Sequence, residues 1–204
     1  MANVTSALLD TKALSIDIKK GFLYASGARG PLYCDNRIVL SYPTERTLIV
    51  KEFLRIIRKN RIRCDSIAGV ATGAIPWAAI IADKLKKPMV YIRPEKKQHG
   101  KQNQIEGRLR KGSRVLIIED AINSGKSSLA ACKAIFECKC KVIGLIAVFN
   151  YCFADNEFKK IKVPLYWLSD FKTLCKEAVR QKYIKKEERK VLVDWYSNPK
   201  SWNS

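Results

Sequence analysis

Arg114-Val115-Leu116-Ile117-Ile118-Glu119-Asp120-Ala121-Ile122-Asn123-Ser124-Gly125-Lys126-Ser127-Ser128 decides how this chain is read. An apolar run is followed by two adjacent carboxylates, a loop of small residues and the start of a helix. A short apolar run bounded by turn residues predicts a buried strand, and the loop then offers backbone N–H groups at a helix N-terminus, where a phosphate binds. Glu119 and Asp120 fall between strand and loop. Their oxygens can accept hydrogen bonds from sugar hydroxyls or help to hold a magnesium ion beside phosphates. The alternative is that the acids merely end a strand and Asn-Ser-Gly merely turns the chain, so the surroundings must decide. A Walker A loop is excluded, because Gly125-Lys126-Ser127 lacks the required upstream glycine and Asp120 stands in its place.

Working outward, apolar strand-like runs alternate with helix-like segments, the pattern of crossover units on a parallel sheet. Strands are predicted at Cys64 to Val70, Pro88 to Ile92, Arg114 to Ile118, Val142 to Phe149 and Pro164 to Leu168. Helices are predicted at Ile75 to Leu85, Ser127 to Cys138, and from an Asp170 N-cap to about Gln181. Ahead of them, Leu48, Ile49, Phe53, Ile56 and Ile57 mark one face of a helix over Pro43 to Lys59. The expected architecture is α/β, with a mostly parallel sheet of about five strands flanked by helices. Residues 1–42 read as a small N-terminal hood, with a helix near Thr5 to Leu14 and a Gly-Ala-Arg-Gly-Pro turn at 27–31. Residues 43–204 read as the core.

Between Arg93 and Arg114 lies PEKKQHGKQNQIEGRLRKGS, residues 94–113, polar, charged and with three glycines. So long a connection without apolar periodicity is commonly functional or disordered. Beside a phosphate-type site it reads as a lid whose Lys96, Lys97, His99 and Lys101 close over an anion; the alternative is a solvated loop with no role. In open parallel sheets, ligands bind at the carboxyl ends of strands near the switch in strand order. Ala71-Thr72-Gly73-Ala74, the lid and the 120–128 loop all fall there. The ligand implied is a pentose with phosphates at both ends.

Composition narrows the remaining possibilities. Lys and Arg number 39 against 19 acids, a formal net charge of +20, which favours anionic partners without naming one. Seven cysteines form no C-x-x-C pair and no four-ligand zinc set with the single histidine. An odd count with no leader-like segment predicts reduced thiols and a cytoplasmic protein. No apolar run approaches the roughly 20 residues that span a bilayer.

Several segments together resemble orotate phosphoribosyltransferases, within the type I phosphoribosyltransferases. They are Ser26-Gly27-Ala28-Arg29-Gly30-Pro31-Leu32-Tyr33-Cys34-Asp35-Asn36-Arg37 with Ser41-Tyr42-Pro43, then Gly69 to Pro76, Tyr91 to Gly107, the opening segment, and Leu192 to Pro199. The most specific is the lid pattern R-x-x-x-K-x-H-G-x-x-N-x-I-E-G beginning at Arg93. The resemblance implies the type I fold and transfer of phosphoribose from phosphoribosyl pyrophosphate (PRPP) to orotate, giving orotidine 5′-monophosphate in pyrimidine biosynthesis. It also implies Mg²⁺ held mainly by PRPP with Glu119 and Asp120, and a homodimer whose lid is shared across the interface.

By position, the resemblance gives Arg93, Lys97 and His99 the catalytic roles. Thr72, Gly73, Glu119, Asp120, Ala121, Asn123, Ser124, Gly125, Lys126 and Ser127 fall to PRPP. Ser26, Gly27, Arg29, Tyr33, Cys34, Asp35 and Asn123 fall to orotate. The chain departs from the family pattern in four places. Arg29 and Gly30 replace Lys and Ser, while Asn123 and Lys126 stand where Thr or Ser and Gly or Thr are usual. The rivals are a phosphoribosyltransferase for another base and a PRPP-sensing regulator that uses its basic surface on nucleic acid. An intact Lys97 and His99 weigh against the regulator.

Overall fold

The computed structural model describes residues 3–24, 27–94, 104–199 and 202. In chain order the elements are α1 (Val4–Asp10), β1 (Leu14–Ile16), β2 (Phe22–Leu23), β3 (Arg29–Gly30), β4 (Leu32–Cys34) and α2 (Pro43–Lys59). Then come β5 (Ser66–Val70), α3 (Ile75–Leu85), β6 (Met89–Ile92), β7 (Ile105–Glu106), β8 (Arg114–Ile122) and α4 (Lys126–Glu137). The chain continues with β9 (Lys141–Asn150), α5 (Asp155–Lys160), β10 (Leu165–Asp170), α6 (Phe171–Arg180) and α7 (Arg189–Ser197).

The principal sheet has the order β10-β9-β8-β5-β6-β7. Five strands are parallel, and β7 is an antiparallel edge against β6, with Ile92 opposite Ile105. The five parallel strands answer to the five expected; the sixth lies inside the segment read as an irregular lid. Its cause is Ile105, which is buried and extends the sheet's apolar face by one position. β5 is buried along its whole length and β9 along all but two positions, as strands covered on both faces must be.

β8 runs four residues beyond the predicted end at Ile118 and carries Glu119 and Asp120 within the strand. The carboxylates therefore have strand geometry, pointing to opposite faces of the sheet. β5 leads on to β6 on one side while β8 pairs on the other, so the switch in strand order falls between β5 and β8.

The N-terminal helix is shorter than expected, and Leu14 opens a strand instead. Asn3 caps α1 by accepting from the Ser6 N–H at 2.8 Å. Six of the helix's seven residues are buried, and Thr5 meets the Ser169 hydroxyl at 2.7 Å while Ser6 donates to Glu177. This helix therefore packs into the same core as β10 and α6. The segment beyond it forms two small antiparallel ribbons, β1 with β4 and β2 with β3. Asp170 caps α6 as expected, accepting from the Thr173 N–H at 2.7 Å.

Candidate active site

The loops after β5, β6 and β8 meet at the carboxyl edge of the sheet around a cavity of about 430 Å³. It is lined by Val70, Ala71, Ile92, Arg93, Pro94, Ser124, Lys126, Ser127 and Ala130. This brings Ser124, Lys126 and Ser127 of the predicted PRPP site to one place with Arg93, predicted as catalytic. Gly125 takes a left-handed conformation, φ +74°, and no side chain caps the N-terminus of α4. The first N–H groups of that helix are thereby left for an anion to cap. A Cβ on Gly125 would stand 2.5 Å from that of Ala154, so both space and backbone demand glycine.

Thr72 is joined to Ala71 by a cis peptide bond, and Gly73 follows it. A Cβ on Gly73 would coincide with the Asp120 carboxylate, so the loop after β5 and the acid pair on β8 press directly together. The two acids are unequal. Glu119 is buried, accepting from the Ser128 hydroxyl at 2.7 Å and from the Asp120 N–H at 3.1 Å. Burial, aided by the neighbouring Asp120 charge, pushes its carboxyl well above the usual range. Asp120 is half-buried and accepts from the Ala121 N–H at 2.8 Å. Of the pair, Asp120 is the one open to a ligand.

A second cavity, about 320 Å³, is lined by Tyr24, Tyr33, Cys34, Ala121, Asn123, Tyr151 and Trp195. The predicted base-site residues Tyr33, Cys34 and Asn123 come together here. Burial, with the negative charges of Asp120 and Asp35, raises the Cys34 thiol, which therefore stays neutral and unreactive. Asn36 donates from Nδ2 to the Asp120 carbonyl at 2.6 Å and so ties the segment after β4 to the acid strand. Asp35 does not line the cavity; it holds Arg37 in a two-pronged ion pair at 2.7 and 2.8 Å.

Arg29 is exposed and donates to the carbonyl of Lys20, just ahead of β2, at 2.6 Å. Gly27 is exposed, with φ +83°. Ser26, Lys97 and His99, together with Lys96 and Lys101, lie outside the described residues. The root of the lid is described: Arg93 sits 3.6 Å from Glu106, and its backbone N–H donates to the Gln104 carbonyl at 2.9 Å.

Residue patterns gave no role to Tyr24, Tyr151 or Trp195, although all three line the second cavity. Tyr24 and Tyr151 offered only aromatic character in segments of mixed polarity, whereas Trp195 lies in the Leu192 to Pro199 segment that carries the family resemblance and was given no role there. Among the described residues no group of three or more His, Cys, Asp or Glu could hold a metal ion.

The model of the phosphoribosyl transferase domain family matches residues 44–165. The chain is 44% identical over 201 residues to an orotate phosphoribosyltransferase of Coxiella burnetii, covering 98% of this chain and 96% of that one. It is likewise 44% identical over 199 residues to that of Bacteroides thetaiotaomicron, covering 97% and 94%. The chain belongs to the orotate phosphoribosyltransferase family. Among solved structures similar to it, Leishmania donovani UMP synthase superposes with a TM-score of 0.80 at 22% identity, over 95% of this chain and 41% of that one. The orotate phosphoribosyltransferase of Aeropyrum pernix superposes with a TM-score of 0.73 at 24% identity, over 85% and 98%. The fold of an orotate phosphoribosyltransferase is thus retained where most residues differ.

Proposed function

We propose that the larger cavity takes the phosphates of PRPP and the smaller one the orotate ring, with Asp120 at the ribose between them. The reaction is transfer of the 5-phosphoribosyl group from PRPP to orotate, giving orotidine 5′-monophosphate and pyrophosphate. One observation carries the assignment: the consecutive residues Asn123 and Ser124 line one cavity each, so a single loop serves both substrates. A bond forms between an orotate ring nitrogen and the ribose anomeric carbon while the bond from that carbon to pyrophosphate breaks, and the proton given up by the nitrogen passes to the departing pyrophosphate or to solvent.

No nucleophilic side chain is required, and the neutral Cys34 supplies none. Lys126, Ser127 and the N-terminus of α4 hold the 5-phosphate, and Thr72 and Gly73 hold the pyrophosphate by their backbone. Arg93, Lys97 and His99 offset charge that builds on the leaving group, while the closed lid over 94–113 excludes water. Glu119 acts from beneath, fixing Ser128 and the turn into α4. Mg²⁺ would arrive on PRPP itself and neutralise its pyrophosphate, with Asp120 as the one protein carboxylate of the pair within reach. Tyr33 and Asn123 address the orotate ring, with Gly27, Ser26, Arg29 and Asp35 in the surrounding hood.

The hood is residues 1–42, whose two ribbons after α1 border the base cavity, and the core is residues 43–204. The enzyme works in the cytoplasm as a homodimer whose lids reach the neighbouring site. All seven cysteines are free, as a reducing compartment requires. Among the described residues no helix is long and apolar enough to cross a membrane.

The test is loss of orotate absorbance in the presence of PRPP and Mg²⁺. Consumption of orotate, with matching release of pyrophosphate, is expected. Turnover of another base but not orotate, or nucleic-acid binding with no turnover, would overturn the reading.

A further inference from the structure

We propose that Trp195 sets the size of the base cavity, and that Gly30 is its obligate counterpart. Together they limit the bulk of the substituents that the acceptor base can carry. The inference rests on reading the smaller cavity as the base site. At about 320 Å³ that cavity is near the lower end of ligand pockets, so a bulky wall side chain decides how much of it a base can use. Trp195 belongs to α7, is 6% exposed, and contributes a wall of the cavity although it lies far along the chain from the hood.

A Cβ built on Gly30 would stand 2.7 Å from Nε1 and 3.0 Å from Cε2 of Trp195, and would also strike the Tyr24 hydroxyl. Gly30 has no left-handed φ, so space alone excludes a side chain there. Neither neighbour is free to yield. The Tyr24 hydroxyl donates to the Leu32 carbonyl at 2.6 Å. The indole lies edge-on to Tyr151, with centroids 6.5 Å apart at 73°, and tilted against Phe171 at 6.1 Å.

The next residue, Tyr196, locks the helix to the same tier. Its hydroxyl donates to the Tyr151 carbonyl at 2.6 Å, and its ring stacks on Phe171 at 4.1 Å. Trp195 Nε1 has no hydrogen-bond partner among the described residues. The ring is therefore held by shape, wedged between the bare face of Gly30 and the aromatic tier. Gly30 adjoins Arg29 on β3, so the same contact fixes the ribbon that borders the base site.

The experiment compares orotate with 5-iodo-orotate as acceptors at saturating PRPP, using purified full-length wild-type protein, Trp195→Phe, Trp195→Ala and Gly30→Ala. In the Trp195 variants, orotate KM rises while PRPP KM stays within about twofold. The kcat/KM ratio shifts about tenfold toward the iodinated base, the scale of discrimination that a pocket achieves against small apolar groups. Gly30→Ala raises orotate KM by itself. Added to Trp195→Phe it raises KM by much less, because one of its two obstructions has gone.

An unchanged ratio in folded Trp195→Phe, or strictly additive effects of Gly30→Ala and Trp195→Phe, would overturn the proposal. If Trp195→Ala does not fold, the Phe and Gly30 variants decide alone. A wild-type enzyme that ignores orotate refutes the base-site reading itself. One that uses orotate while Trp195→Phe discriminates as wild type refutes only the present inference.

Discussion

The two cavities are built by different means. The phosphate side combines loop backbone and small residues at the ends of adjacent parallel strands with the cationic side chains of Arg93 and Lys126, and most of its polar groups come from the 123–128 turn. The base side is assembled from side chains on four separate pieces of the chain: the hood, the loop after β8, the end of β9, and α7. Backbone N–H groups at a strand-to-helix turn bind any phosphate. In the proposed assignment, a cavity walled by Tyr24, Tyr151 and Trp195 reads the shape of one base. The phosphates therefore meet a contiguous turn in that assignment, and the base meets side chains that only the fold brings together.

The largest effect should come from the phosphate side. Lys97→Ala is expected to lower turnover by about 10²- to 10³-fold, the usual loss when a charge-stabilising donor is removed, with a much smaller change in PRPP binding. Single-turnover rates alongside equilibrium PRPP binding separate the two. Turnover equal to wild type would remove the lid from the mechanism and leave the comparison resting on geometry alone.

Next comes Gly73→Ala. Its Cβ would take the place of the Asp120 carboxylate, so the loop or the acid must move. Overpacking of this kind costs about 1 to 3 kcal/mol, here expressed as a rise of roughly tenfold to a hundredfold in PRPP KM. Orotate KM should change far less. A change confined to orotate would show that the two sides do not divide as described.

The same division explains what could be read from sequence. α2 and α3 match their predicted spans, and the other core strands and helices differ from theirs by only a few residues at their ends, because their apolar periodicity is local. The phosphate turn was legible for the same reason: Asp120 to Ser128 is one contiguous stretch. β7 was missed because only Ile105 carries it, and two residues have no period. The inward walls Tyr24, Tyr151 and Trp195 were missed because each is an ordinary aromatic residue in its own neighbourhood. Only the fold puts them together. Arg29 illustrates the converse, since family position places it at orotate while the structure turns its guanidinium to the Lys20 carbonyl.

The acid pair gives an intermediate effect that sharpens the contrast between Glu119 and Asp120. The Glu119 carboxyl titrates higher in the folded chain than in the unfolded one. Its contribution to stability is therefore fully present below the unfolded value near 4.5 and is lost as pH rises through the folded value. Glu119→Gln, which cannot ionise, should flatten that component. The difference in unfolding free energy between variant and wild type, followed upward from pH 4.5 without substrate, should move in favour of the variant. Each pH unit of displaced titration is worth about 1.4 kcal/mol. Ser128→Ala should destabilise by about 1 to 2 kcal/mol, having removed a buried hydroxyl partner. If the Glu119→Gln difference is flat with pH, Glu119 is ionised and solvated, and the two acids are equivalent after all.

The smallest effect is expected at Arg29→Lys. The guanidinium is exposed and spends its hydrogen bond on the hood's own backbone, so lysine keeps the charge and loses only the forked geometry. An exposed contact of this kind contributes little, and orotate KM should rise less than about fivefold, with PRPP KM unchanged. Steady-state kinetics in both substrates suffices to check it. A large loss would mean that Arg29 leaves the Lys20 carbonyl and enters the base cavity when substrate is bound. The base side would then share the reliance on cationic side chains that otherwise belongs to the phosphate side.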